Sequence, residues 1–219
     1  VPVVTISRQF GAAGLRVGRL LAQQFGAEFL DRAIVAQVAL RSGIPESQLQ
    51  SYDERLPSIW QRLASALASG APDIGTLPTV PEDQPALSIH ERLVQTTRTL
   101  VEEAAARGNA VIVGRGGAFI LARRPGVLNV QLVADLDDRV RYLLSRADEA
   151  PEAASLDESA LRELCSSVDA ARAEYVRSIF GADWMDARHY DLVVDTGRLG
   201  VSRTIELIAL AARTDGSTE

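Results

Sequence analysis

The segment Ser7-Arg8-Gln9-Phe10-Gly11-Ala12-Ala13-Gly14-Leu15-Arg16 has the residue types for anion binding. It follows the β-branched run Val3-Val4-Thr5-Ile6. It precedes apolar residues at largely helical spacing, namely Leu15, Val17, Leu20, Leu21 and Phe25. Strand, glycine-bearing turn and helix N-terminus is the predicted order, a context in which backbone N–H groups cradle a phosphate. Two glycines in a tight turn serve structure as readily as phosphate, so the turn alone leaves both readings open.

The cations available for that chemistry are unusual. All 23 Lys+Arg positions are arginine. A chain without lysine has no Schiff base, no pyridoxal phosphate linkage, no lysine general base and no Walker lysine. Phosphate chemistry must therefore rest on guanidinium and backbone N–H groups. Asp+Glu 29 outnumber the cations and set the net charge at −6, the wrong sign for a protein living on a nucleic-acid backbone. Cys165 is single and makes no internal disulfide, His90 and His189 are lone, and no metal-spaced cluster is present. No stretch approaches the ~20 apolar residues of a membrane span, and Val1 to Ser7 reads as a strand rather than a signal segment. A soluble, cytoplasmic protein is the expectation, with no nucleic-acid or membrane partner.

The positioning elements follow from periodicity. Glu28-Phe29-Leu30 is a second short strand, with a helix expected from about Arg32 to Leu40 and terminated by Gly43. Ala110 to Gly114 and Val127 to Val133 are near-continuous apolar runs, the pattern of strands buried on both faces of a parallel sheet, and Tyr190 to Asp195 makes a fifth. Helices are expected over Leu87–Arg107, Gly117–Ala122, Leu136–Arg146, Leu156–Ile179 and Ser202–Ala212. Strands alternating with helices predict an α/β fold, a doubly wound sheet whose ligands sit beyond the carboxyl ends of the strands. The Pro-, Gly-, Ser- and Ala-rich stretch at 55–88 reads as an exposed insertion in a single domain spanning 1–219.

Several segments recur together in one order. These are Val3-Val4-Thr5-Ile6-Ser7-Arg8-Gln9-Phe10-Gly11 with its helix, Phe29-Leu30-Asp31-Arg32, Val111 to Gly116, Asp169 to Tyr175, and Tyr190 to Thr196. In this arrangement the chain resembles the cytidylate kinase-like family of P-loop kinases, over essentially its whole length except the 55–88 insertion. The resemblance implies a five-stranded parallel sheet flanked by helices, an acceptor-binding helical region, a lid-like helical region at 136–180, and γ-phosphoryl transfer from ATP with Mg²⁺.

Residue roles follow from the same resemblance. Gly11, Ala12, Ala13, Gly14, Leu15 and Arg16 form the phosphate loop, with Gly14 at the Walker lysine position and Arg16 at that of the Mg²⁺-binding Thr. Leu15 replaces the family's usual arginine. Arg8 stands at the first loop glycine, where its planar fork either grips a phosphate or forms a structural ion pair. Asp31 and Arg32 fall at the acceptor-binding helix, where the matching kinase arginine is Gln37. Arg115 matches the acceptor-phosphate arginine of a Gly-Arg-Asp motif whose Asp, a nucleoside contact, is Gly116 here. Arg139 matches the first lid arginine, and Asp169 with Arg172 the lid pattern Asp-x-x-Arg, a pair that could equally be a solvated i,i+3 ion pair. A further lid arginine falls at Cys165. Trp184, Tyr190 and Cys165 are expected to pack, and Asp195-Thr196 to cap a turn or border a base pocket.

The expected function is an ATP-dependent phosphotransferase, nucleoside monophosphate kinase-like, acting on a small phosphorylated acceptor of which cytidylate is one candidate, a specificity that Gly116 puts in question. Two alternatives stand beside it: a nucleotide-binding sensor or pseudokinase of little turnover, and a kinase for a non-nucleotide acceptor.

Overall fold

A computed structural model of the chain describes residues 2–31, 89–146, 153 and 155–213. The 55–88 insertion, Arg32, Gln37 and the helix expected from Arg32 to Leu40 lie outside the described residues. Five parallel strands form one sheet: β1 (Val3–Arg8), β2 (Glu28–Leu30), β3 (Ala110–Val113), β4 (Val127–Val133) and β5 (Leu192–Asp195), in the order β2-β3-β1-β4-β5. The described helices are α1 (Gly14–Phe25), α2 (Ile89–Arg107), α3 (Gly117–Ile120), α4 (Leu136–Ser145), α5 (Glu158–Phe180) and α6 (Thr196–Ala211). No helix among the described residues is long and apolar enough to cross a membrane.

The apolar runs are continuous because the inner strands are covered on both faces. On one face Val4, Ile6, Val111, Val113, Val130 and Leu132 pack with Val17 and Leu21 of α1 and Ile208 of α6. On the other, Val3, Ala110, Ile112 and Val127 meet Val101 and Ala104 of α2. Thr5 is polar in the middle of β1, yet its buried hydroxyl donates to Asn129 Oδ1 at 2.7 Å across the sheet, which satisfies that pair.

The structure departs from the periodicity at one helix. α6 begins at Thr196, six residues before the expected Ser202, because Asp195 caps it by accepting from the Arg198 N–H at 3.1 Å. Gly200, at φ 74 and ψ 168, then kinks the helix and hides its first turn from a 3.6-residue pattern.

α1 lies unusually close to the sheet. Gly18 faces Val113, and a Cβ built there would overlap Val113 Cγ2 and lie 3.2 Å from Phe29 Cε2. Gly18→Ala therefore sets ~1 kcal/mol of helix propensity against ~1–3 kcal/mol of overpacking. The expected outcome is a lower urea midpoint, and an unchanged or higher one would contradict this packing.

Candidate active site

The site is built at the carboxyl edge of the sheet, beginning with the turn after β1. The Gln9 N–H donates to the Leu132 carbonyl at 3.0 Å, and Gln9 Oε1 accepts from the Ala134 N–H at 3.0 Å, so the turn is tied to the end of β4. Gly11 (φ 81) and Ala13 (φ 54) are both left-handed. Such a path turns successive N–H groups toward one concavity, and the first turn of α1 adds N–H groups that have no partner within the helix. Ala13 provides no side-chain cap. The result is an open helix N-terminus with the positive end of the helix dipole facing the loop, suited to an anion.

A buried charge cluster holds this turn from behind. Asp169, in the middle of α5, accepts from the Phe10 N–H at 2.8 Å through Oδ1 and from Arg139 Nη1 at 2.7 Å through Oδ2. Arg139 also donates to the Phe10 carbonyl at 3.3 Å. One α-helical turn along α5, Arg172 donates to the Arg8 carbonyl at 3.0 Å and stands 5.8 Å from the centre of the Phe10 ring. Arg139 and Arg172 are only 8% and 9% exposed. Burial pushes the Asp169 carboxyl above its ordinary range, opposed by the Phe10 N–H and the two guanidiniums. The side chain of Phe10 completes the anchor by packing with Val140, Leu143, Leu161, Leu164 and Val168 between α4 and α5. Gly11 must be glycine here, since its positive φ combines with a Cβ position only 2.9 Å from Arg139 Cβ. Cys165 lies in the same apolar cluster, and burial pushes its thiol up, which makes it a packing residue.

Two clefts flank the loop. One, narrow at about 40 Å³, is lined by Ser7, Arg8, Arg115, Arg172, Tyr175 and Trp184 among others. Its floor is the turn after β3, where Gly114, Arg115 and Gly116 are left-handed in succession, at φ 75, 59 and 66. For Arg115 this conformation costs on the order of 1–3 kcal/mol, strain that clusters at functional sites. The wall is aromatic. Phe119 stacks on Phe180 at 5.3 Å, and a Cβ on Gly116 would lie 2.6 Å from the Phe180 ring. Phe180 thus occupies the space of the carboxylate that a Gly-Arg-Asp motif would carry. Trp184 donates through Nε1 to Ser7 Oγ at 2.8 Å, and the Tyr190 hydroxyl donates to the Trp184 carbonyl at 2.8 Å. Burial pushes the Tyr190 phenol up to about 12, so it stays protonated.

The second cleft, about 380 Å³, opens on the other side of the loop between α4 and the start of α6. Gly11, Ala13, Arg16, Arg141, Tyr142 and Gly197 are among its lining residues. The Thr196 hydroxyl sits 3.2 Å from both the Ala12 and Val133 carbonyls, joining the loop to the last helix. The second volume suits a small-molecule site, whereas the first is about a tenth of it, a narrow cleft that would have to widen to take a ligand. No group of three potential metal ligands occurs among the described residues, and the usual Mg²⁺-binding hydroxyl position holds Arg16. These residues do not form a protein-held Mg²⁺ site.

Sequence reasoning and structure meet unevenly here. Gly11, Ala13 and Arg16 line one cleft and Arg8, Arg115 and Arg172 the other, Ala12, Gly14 and Leu15 are not among the cleft residues, and Arg139 and Asp169 lie behind the loop. Asp31 is buried just after β2 and is not among the cleft residues. Phe119, Phe180, Tyr175 and Ser7 were not singled out as site residues. The glycine at 116 was their one signal, since a missing side chain invites another to fill its place.

Removing Asp169 would leave two buried guanidiniums facing the loop uncompensated. Asp169→Ala is expected to cost about 3–5 kcal/mol of stability in chemical denaturation. Most of that loss should persist in Asp169→Asn, whose amide keeps an acceptor for Phe10 but no charge against Arg139. A cost below ~1 kcal/mol for both variants would show that the cluster does not hold the loop.

The geometry matches known proteins. A family profile for the cytidylate kinase-like family matches residues 3–198. Over 116 residues the chain is 28% identical to a uronate isomerase from Corynebacterium glutamicum. That match takes in 52% of this chain and 20% of the relative, so the chain spans about a fifth of its length. Among solved structures it is similar to an uncharacterised protein from Eubacterium ventriosum, with TM-score 0.67 and 16% identity over 98% of this chain and 99% of that one. It is also similar to shikimate kinase from Bacteroides thetaiotaomicron, with TM-score 0.53 and 13% identity over 97% and 98% of the two chains. At such identities the structural likenesses carry the fold alone. With the profile spanning nearly the whole chain and the sheet, loop and flanking helices in the same order, the chain belongs to the cytidylate kinase-like family.

Proposed function

We propose that the chain is an ATP-dependent phosphotransferase that moves the γ-phosphoryl group to a small phosphorylated acceptor. The observation that carries this reading is the pair of clefts meeting at one left-handed loop with an uncapped helix N-terminus. The triphosphate of ATP would lie on the N–H groups of residues 13–16, the Ala12 N–H being donated to the Gln9 carbonyl at 3.2 Å, with the nucleoside in the cleft beside Arg16, Arg141 and Gly197. The acceptor would lie in the opposite cleft, its phosphate on Arg115 and Arg172. Mg²⁺ would be held by phosphate oxygens and water, because the described residues present no cage for it.

The lining chemistry favours an acceptor that is already ionised. The described residues of the acceptor cleft include three arginines and no carboxylate or histidine. A monophosphate oxygen needs no base: it attacks the γ-phosphorus, the bond to the bridging oxygen breaks, and ADP leaves with the electron pair. The arginines neutralise the charge spread over the equatorial oxygens. Arg139 and Asp169 would act by holding Phe10, and through it the loop, in the binding shape. Of the lid-like region, α4 would wall the donor side and α5 the acceptor side.

Phe180 on Gly116 favours an acceptor other than cytidylate. The carboxylate that reads the nucleoside in the family's motif has no room here, so a different nucleotide or a non-nucleotide phosphate fits the cleft better. The test is ADP release from Mg-ATP with a panel of nucleoside monophosphates and sugar phosphates. Turnover with at least one acceptor is expected, with CMP a poor one, and Arg115→Ala should lower kcat/KM by about 100-fold, the scale of one lost charge-stabilising donor. Nucleotide-dependent thermal stabilisation without turnover on any acceptor would instead favour a nucleotide sensor, and no stabilisation at all would remove both readings.

A further inference from the structure

We propose that Arg8 supplies the phosphate-gripping cation of this loop, in exchange for the lysine that a standard loop carries at position 14. The inference rests on the kinase reading and deepens it.

Two glycines mark the path of one arginine. A Cβ built on Gly14 would lie 2.5 Å from Arg8 Cγ, 2.9 Å from its Cβ and 3.2 Å from its Cδ. The methylene stem of Arg8 therefore fills the space into which any side chain at position 14 would start. Further along, a Cβ on Gly114 would overlap Arg8 Nη1 and lie 3.1 Å from Cζ. The side chain thus leaves the end of β1, lies flat over the first residue of α1 and ends beside the turn after β3. Its root is fixed as well: Arg8 pairs in register with Leu132 of β4, and its carbonyl accepts from Arg172 Nη1 at 3.0 Å.

Steric exclusion makes the two arrangements alternatives. A lysine at 14 and the arginine stem at 8 would need the same volume, so the loop takes its cation from one position or the other. From position 8 the guanidinium stands between the helix N-terminus and the acceptor cleft that it helps to line. Its planar fork can contact two phosphate oxygens at once, where an ammonium would act as a point charge. The missing lysine and the presence of an arginine at the first loop position then have a single physical cause.

The test compares wild type, Arg8→Met, Gly14→Lys and the double variant Arg8→Ala/Gly14→Lys. Affinities for ATP and for adenosine are measured by calorimetry, alongside melting temperatures and turnover with whichever acceptor of the panel reacts. Arg8→Met keeps most of the stem and removes the charge, so it should fold normally and bind ATP at least 30-fold more weakly with little change for adenosine. Gly14→Lys alone should melt lower and bind ATP poorly because the stem is in the way. The double variant should regain at least tenfold in ATP affinity over Arg8→Met.

Wild-type ATP affinity in Arg8→Met, or a double variant no better than Arg8→Met, overturns the exchange while leaving the kinase reading intact. So does a loss confined to the acceptor KM, which would make Arg8 an acceptor ligand. A wild-type protein that binds no ATP removes the kinase reading and this inference together.

Discussion

The hydrogen bond from the Phe10 N–H to Asp169 is the contact on which the site depends. It joins the tip of the loop after β1 to the middle of a long helix far away in sequence, and it does so where water is largely excluded. An unpaired carboxylate at that depth would be costly, as would either guanidinium beside it. The three charges are therefore tolerable only together, and only when the loop backbone supplies its N–H and carbonyl groups to complete the set. Folding α4 and α5 against the sheet and shaping the loop become one event. The Phe10 ring, inserted among Val140, Leu143 and Leu164, adds apolar burial to the same coupling.

Around that anchor, side chains fill what glycines leave open. Gly11 makes room for Arg139, Gly14 and Gly114 for Arg8, and Gly116 for Phe180. Each glycine stands at a place where the family's relatives or a standard P-loop would put either backbone alone or a functional side chain. The departures from motif are linked by volume: a residue absent from one position is replaced in space by one from another element.

Much of the fold was legible beforehand. The β-branched run at Val3–Ile6 and the apolar runs at Ala110 and Val127 signal strands covered on both faces, and the order of elements implies the parallel sheet that the structure shows. Arginines and glycines that follow the strand ends marked several of the positions that line the clefts, Arg8, Gly11, Arg16, Arg115 and Arg172 among them. What periodicity missed at α6 has a local cause, since a cap at Asp195 and a kink at Gly200 leave no helical pattern to read.

The sequence by itself determined the chemistry available: arginine as the sole fixed cation, an anion-suited turn, and a sheet whose carboxyl edge gathers them. Only the tertiary structure decided which arginine faces which partner. Arg139 and Arg172 look alike in sequence as lid residues, yet burial beside Asp169 turns both toward the backbone of the loop, while Arg172 also reaches a cleft. The reason is that desolvation and volume exclusion depend on groups distant in the chain. A guanidinium at 8% exposure must bond what surrounds it, and an arginine stem can lie only where a glycine from another element leaves space.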